Sequence, residues 1–154
     1  MAALDLSFEP NPRFRYLSRV HFDELDPLQM LHNSRFAAHV ERAIIGFYES
    51  LGRTWQREGH RNPDQFHVVR DFRIEFLSPV AAPGEIRIDV WVEHLGSTSC
   101  IYGFECTSLD SRTVHARGER AIVKVDPRTG RPQPWSEEFR EAHLELRKQL
   151  PAAP

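Results

Sequence analysis

The 154-residue chain is 40% hydrophobic and 27% charged, ordinary proportions for a globular protein, and its length favours one core over two. Twenty Lys and Arg against twenty-two Asp and Glu leave a net charge of -2, which argues against the basic stripe of a dedicated nucleic-acid binder. No apolar run approaches the roughly 18 residues of a membrane span, and the opening MAALDLSFEPNPRF lacks a signal-peptide pattern, so the expected setting is the cytoplasm.

Residues 1–12, with Pro10, Asn11 and Pro12, read as an extended lead-in. From Arg13 to Phe22 the even-numbered apolar residues Phe14, Tyr16, Val20 and Phe22 predict a first strand. Asp23–His32 is turn-rich and centred on Asp26-Pro27, with Asp23 and Glu24 read as solvent-facing loop charges. A helix is predicted over Ser34–Leu51, because Phe36, Val40, Ala43, Ile44, Phe47 and Leu51 recur at helical steps. Ala37, Ala38 and Ile45 widen that apolar face, so burial on more than one side is expected. Asn33 or Ser34 can cap its start, and Gly52 can stop it. Arg53–Asp64 is polar and reads as helix exit plus connection.

The second half alternates with period two. Phe72, Ile74 and Phe76 form one strand, and Ile86, Ile88, Val90 and Val92 form the next. Gly96-Ser97 turns into Cys100, Tyr102, Phe104 and Cys106, and Asp110-Ser111 turns into Thr113–Val125. That last strand changes phase, from even Val114 and Ala116 to odd Ala121, Val123 and Val125, which predicts a bulge at Gly118. Ser136 can cap a final helix reaching Gln149, with Glu137 and Glu138 in its first turn. On one strand Cys100 and Cys106 lie roughly 20 Å apart, too far for a disulfide. The eight His residues form no HExxH or Cys-x-x-Cys pattern, so no metal site is predicted.

The order of elements predicts an α+β domain, an antiparallel five-stranded sheet wrapped around one long central helix, followed by a C-terminal helix. Its parts are the lead-in 1–12, the main domain 13–135, and the C-terminal helix and tail 136–154.

The segment from Val20-His21-Phe22-Asp23-Glu24-Leu25-Asp26-Pro27 to His32-Asn33-Ser34-Arg35-Phe36 resembles the signature of the 4-hydroxybenzoyl-CoA thioesterase-like hot-dog family. Ser78-Pro79 through Gly84-Glu85-Ile86 and Val125-Asp126-Pro127 through Pro132 are similar to its later connections, so the resemblance spans residues 13–135. The family often has Gly two or three positions after its catalytic Asp. This chain has Leu28 and Gln29 there, which predicts a different loop backbone. The resemblance implies hydrolysis of an acyl-CoA thioester, with Asp26 as nucleophile or general base and the backbone amides near Asn33 and Ser34 polarising the carbonyl. It implies no cofactor, coenzyme A being part of the substrate, and a homodimer or homotetramer with sites at subunit interfaces.

Thioester hydrolysis needs a carboxylate and donors where the oxyanion develops, and a helix N-terminus supplies such donors from its free N–H groups. Asp26 stands just before such a helix, although Asp-Pro alone is also a common turn. His32 and Asn33 can orient water or bond the thioester oxygen, or Asn33 can simply cap the helix. Glu41 is either a second carboxylate or the buried partner of an Arg. Arg128 and Arg131 are candidates for coenzyme A phosphates, or are solvated loop charges. Trp91, Tyr102 and Phe104 are core residues or acyl-pocket walls. The competing readings are a hot-dog (de)hydratase, with His39 the nearest stand-in for its histidine, and a non-catalytic acyl-binding domain.

Overall fold

The computed structural model of the chain describes residues 13–53 and 62–147. The expected lead-in 1–12, most of the 53–64 connection and the end of the final helix beyond Arg147 lie outside the described residues. Five strands, β1 (Phe14–Val20), β2 (His67–Phe76), β3 (Gly84–Leu95), β4 (Ser99–Thr107) and β5 (Val114–Lys124), form one antiparallel sheet in the order β1-β3-β4-β5-β2. Helix α1 (Phe36–Ser50) packs on β1 and β3, and α2 (Glu137–Arg147) on β3. The wrapped sheet is as the alternation predicts. β1 ends at Val20, and Phe22 belongs to a single 3-10 turn, where its ring is exposed.

The core is built by register. Val90 of β3 lies opposite Phe104 of β4, and Phe104 lies opposite Gly118 of β5. Ile88 and Cys106, Val92 and Tyr102, and Cys100 and Ile122 pair in the same way, and all are buried. From the other side α1 contributes Phe36, Val40, Ala43, Ile44 and Phe47. Ala37, Ala38 and Ile45 are half-buried and Glu41, Arg42 and Glu49 are exposed, so α1 is fully covered on one face only. Gly52 follows α1 at φ +72, a left-handed position natural to glycine. The outer sheet face is polar, yet Asp89 on β3 is buried because Arg13, Arg15 and Arg87 close over it.

The expected bulge at Gly118 is not there. Even-numbered residues face inward along β5 from Ala116 to Lys124, and the irregularity falls instead between Cys106 and Thr107 of β4, opposite His115. The phase change in the sequence was produced by Arg120 and Lys124, which point inward although charged, while Ala121 and Val123 occupy the outer face. Gly118 has a packing role. A Cβ there would stand 1.9 Å from the Arg73 carbonyl oxygen and 2.9 Å from the Phe104 ring, which stacks on Phe72.

Helix α2 begins as expected, with the Ser136 hydroxyl accepting from Phe139 N–H at 3.2 Å. It docks through a directed chain of buried hydrogen bonds. His143 Nδ1–H donates to the Phe139 carbonyl at 2.7 Å, which leaves Nε2 to accept from the Tyr102 hydroxyl at 2.6 Å. The Tyr48 hydroxyl then donates to the Tyr102 oxygen at 2.6 Å. The rings of Trp135, Phe139 and His143 stack above this chain.

Burial holds His143 down to about 4, against an ordinary 6.5, with the bond to Phe139 opposing the shift. The unfolded chain therefore binds the extra proton between these values, so the contribution is full above pH 6.5 and is lost as pH falls towards 4. Relative to the non-titrating His143→Phe variant, the wild type should lose about 3 kcal/mol across that window. Urea unfolding of both proteins from pH 7 to 4 checks it, and a difference that does not move with pH contradicts it.

Candidate active site

The segment between β1 and α1 is a closed clip. At its foot His32 N–H donates to the Glu24 carbonyl at 3.0 Å. Above that, Leu25 and Leu31 form an isolated bridge, and Asp26 N–H donates to the Met30 carbonyl at 2.8 Å. The tip closes because Asp26 Oδ1 accepts from the N–H groups of Leu28 (2.8 Å) and Met30 (3.1 Å). Gln29 sits at the tip at φ +61, a left-handed conformation that glycine adopts without strain. Leu31 N–H donates to the Val80 carbonyl at 2.9 Å, which ties the clip to the chain leaving β2.

Both of the turn's N–H bonds to the Asp26 side chain use Oδ1, and no donor among the described residues engages Oδ2. A cavity of about 380 Å³ opens beside this carboxylate. Asp26, Met30, His32, Asn33 and Phe36 form one side, and Phe76, Leu77, Ser78, Pro79 and Val80 the other. Phe36 meets Phe76 edge to face at 5.3 Å, so the wall is aromatic at that point.

A one-turn 3-10 helix, Asn33–Arg35, leads into α1, and its cap is His32 rather than Asn33 or Ser34. Ser34 N–H donates to His32 Nδ1 at 3.2 Å, and the Ser34 hydroxyl lies 2.8 Å from the same nitrogen. A backbone N–H can only donate, so Nδ1 is the acceptor and the neutral ring carries its proton on Nε2. The Ser34 amide is thus already engaged. The Asn33 N–H has no acceptor among the described residues, and Asn33 lines the cavity.

Asp26, His32 and Asn33 are therefore brought together, whereas Ser34 serves the cap. Glu41 is not among them and is not buried. Its carboxylate is about half exposed and accepts from Arg120 Nη2 at 2.9 Å, the arginine being the buried partner. Arg128 and Arg131 are exposed in the turn after β5. The β2–β5 register, Phe76 opposite Ala116 and His67 opposite Lys124, puts that turn at the far end of the sheet. Within one chain roughly 30 Å of strand separates it from the cavity. Tyr102 and Phe104 are fully buried core, and Trp91 lies on the outer face under Arg13.

Glu24 is not a solvent-facing loop charge. It is 7% exposed, and Oε1 accepts from His39 Nε2 at 2.8 Å while Oε2 accepts from His21 N–H at 2.7 Å. The Ser18 hydroxyl lies 2.5 Å from His39 Nδ1. Burial alone would raise the Glu24 carboxyl, but the His21 N–H and the His39 partner outweigh it and hold it below its ordinary value. Burial lowers His39 despite Glu24. The state is a carboxylate receiving from neutral His39, with Ser18 donating to Nδ1. The missed signal was His39 itself, a polar residue on the apolar face between Phe36 and Val40. The walls from Phe76 to Val80 read in the sequence as a strand end and a connection, with nothing that marked them as part of a site.

The thioesterase-like superfamily matches the chain over residues 20–143. Among solved structures, a thioesterase from Thermus thermophilus complexed with coenzyme A and Zn is 28% identical, with a TM-score of 0.72 over 90% of this chain and 96% of that one. A 1,4-dihydroxy-2-naphthoyl-CoA thioesterase from Synechocystis is 13% identical, with a TM-score of 0.74 over 87% and 97%. A Staphylococcus aureus protein in complex with CoA is also 13% identical, with a TM-score of 0.78 over 94% and 89%. At 13% identity these two share the fold, the hot-dog arrangement of sheet and central helix. No curated protein matches the chain.

The clip yields a prediction of its own. Relief of the left-handed strain at Gln29, less the entropy glycine adds to the unfolded chain, should make Gln29→Gly more stable by roughly 0.5–1 kcal/mol. Gln29→Val should be less stable than either. Urea midpoints order the three proteins, and a Gly variant weaker than the wild type would show that the Gln29 side chain, not its backbone, holds the tip.

Proposed function

This chain belongs to the thioesterase-like superfamily, and we propose that it hydrolyses an acyl-CoA thioester at the Asp26 cavity. The observation that carries this reading is a carboxylate oxygen and a helix-start N–H, both without partners among the described residues, on two residues that line the same side of one largely apolar cavity. The acyl chain lies against Met30, Phe36, Phe76 and Val80. Its carbonyl oxygen takes the Asn33 N–H, with the positive end of α1 behind it, and the His32 Nε2–H as a second donor. Asp26 Oδ2 either attacks the carbonyl carbon, giving an anhydride that water cleaves, or removes a proton from an attacking water. In both routes the C–S bond breaks, coenzyme A leaves as the thiolate, and one water is consumed.

A homodimer or homotetramer fits this site. Among the described residues β2 is a sheet edge that exposes Val68 and Val69 near its start, while Phe76 at its end and Leu77 just beyond are exposed beside the cavity. Pairing two β2 edges about a two-fold axis sets the Lys124 end of one chain beside the Phe76 end of the other. Arg128 and Arg131 then serve coenzyme A phosphates at the partner's cavity rather than at their own. The buried free thiols of Cys100 and Cys106 suit a reducing cytoplasm. A (de)hydratase reading finds no support, because His39 is fully buried with both ring nitrogens engaged.

Asp26→Asn should retain the fold and lower kcat on its best acyl-CoA substrate by about 10²–10⁴-fold, with little change in KM. Free-thiol release from short, long and aromatic acyl-CoAs measures this. Undiminished turnover in the variant removes Asp26 from the mechanism. Saturable binding without turnover by the wild type would make the domain an acyl-CoA binder instead.

A further inference from the structure

We infer that Glu24 and His39, backed by Ser18, are positioning residues that set Asp26 against the Asn33 N–H, an inference that rests on the hydrolytic reading of that cavity. Three observations combine. The first is a continuous buried relay from β1 to α1 to the clip, Ser18 Oγ to His39 Nδ1 at 2.5 Å and His39 Nε2 to Glu24 Oε1 at 2.8 Å. Ser18, His39 and Glu24 are 3%, 0% and 7% exposed. The second is that Glu24 is held at every polar point it offers. Oε2 takes His21 N–H, its own N–H donates to the His21 carbonyl at 3.1 Å, and its carbonyl takes His32 N–H. The third is what that last bond controls. His32 carries the ring that caps Ser34 and the peptide that presents the Asn33 N–H.

The clip therefore has two arms joined at one foot. One arm leads from Glu24 to Asp26, and the other leads back from Met30 to His32 and Asn33. The rungs between the arms are short, so a displacement at Glu24 moves carboxylate and oxyanion donor relative to the cavity walls at Phe76 to Val80. A buried carboxylate is costly to desolvate, and the cost is offset only because every donor and acceptor is used. An apolar pair would fill the space as well for stability alone. It could not fix the foot of the clip by direction, as three hydrogen bonds do. None of the three residues lines the cavity, so their action passes through the backbone.

Glu24→Gln is nearly isosteric, but it sets an amide NH2 against either the His21 N–H or the His39 Nε2–H. It should lower kcat by about 10–100-fold, the scale of a sub-ångström to 1 Å misplacement, while KM stays within about 2-fold. Ser18→Ala, which leaves His39 Nδ1 without its donor, should give a smaller loss of the same kind. A second readout does not need activity. Amide hydrogen exchange by NMR should quicken at Asp26, Leu28, Met30 and His32 by at least about 10-fold and stay unchanged at Ile88, Val90 and Phe104. Unchanged kcat and unchanged clip exchange in a folded Glu24→Gln protein overturn the inference. So does exchange that quickens equally in clip and sheet, which marks a purely stabilising role. If the wild type hydrolyses no acyl-CoA, the functional reading fails, and the exchange contrast still decides whether this relay governs the clip.

Discussion

Through the middle of the sheet the even-numbered side chains of all five strands turn toward the helix side, and irregularities after Val69 in β2 and after Val92 in β3 shift the phase only near the strand ends. One face of a sheet that wraps a single helix has room for one row of side chains per strand, so this constraint acts on polar residues as firmly as on apolar ones. It buries Ile88, Phe104 and Ile122 as expected. It also carries Ser18, Arg120 and Lys124 inward, where each must find a partner or cost the fold its desolvation energy.

The partners arranged around these inward polar groups give the two ends of the sheet different characters. At the Lys124 end, Asp64 is the hub. It accepts from Lys124 Nζ and Arg53 Nη1, each at 3.1 Å, and from the N–H (2.9 Å) and hydroxyl (2.5 Å) of Ser136. Burial alone would raise its carboxyl, yet these donors hold it below the ordinary value. The same serine caps α2, so the exit of β5, the end of α1 and the start of α2 meet at one carboxylate. Removing one partner from such a cluster costs far more than the cluster contributes net, because the remaining charges stay buried.

At the other end, the inward polar residue is Ser18, and its partner chain runs through His39 to Glu24 and into the clip. The same physics that makes Asp64 a structural hub makes Glu24 the foot of the candidate active site. The difference is what lies beyond. Behind Asp64 is packed helix, whereas beyond Glu24 is a cavity lined by Asp26 and Asn33, whose Oδ2 and N–H have no partner among the described residues. The site is thus placed where the sheet, the helix start and the edge strand β2 converge.

Local periodicity made the elements legible. The alternating strands, the apolar stripe of α1, the Ser136 cap and the Asp26-Pro27 turn before the helix all follow from the sequence alone, because each depends on side-chain spacing along a few adjacent residues. Which charges lie inside was a matter for the assembled fold. Glu24 reads as a loop charge until His39 is seen against it, and the Gly118 phase change reads as a bulge until Arg120 and Lys124 are found facing Glu41 and Asp64. The cavity too belongs to the fold, since its two walls lie far apart in sequence and meet through the Leu31 to Val80 bond and the Phe36–Phe76 contact. No spacing rule links such segments. Only the register of the sheet and the closure of the clip bring them face to face, so the carboxylate could be named from the sequence, but its surroundings required the fold.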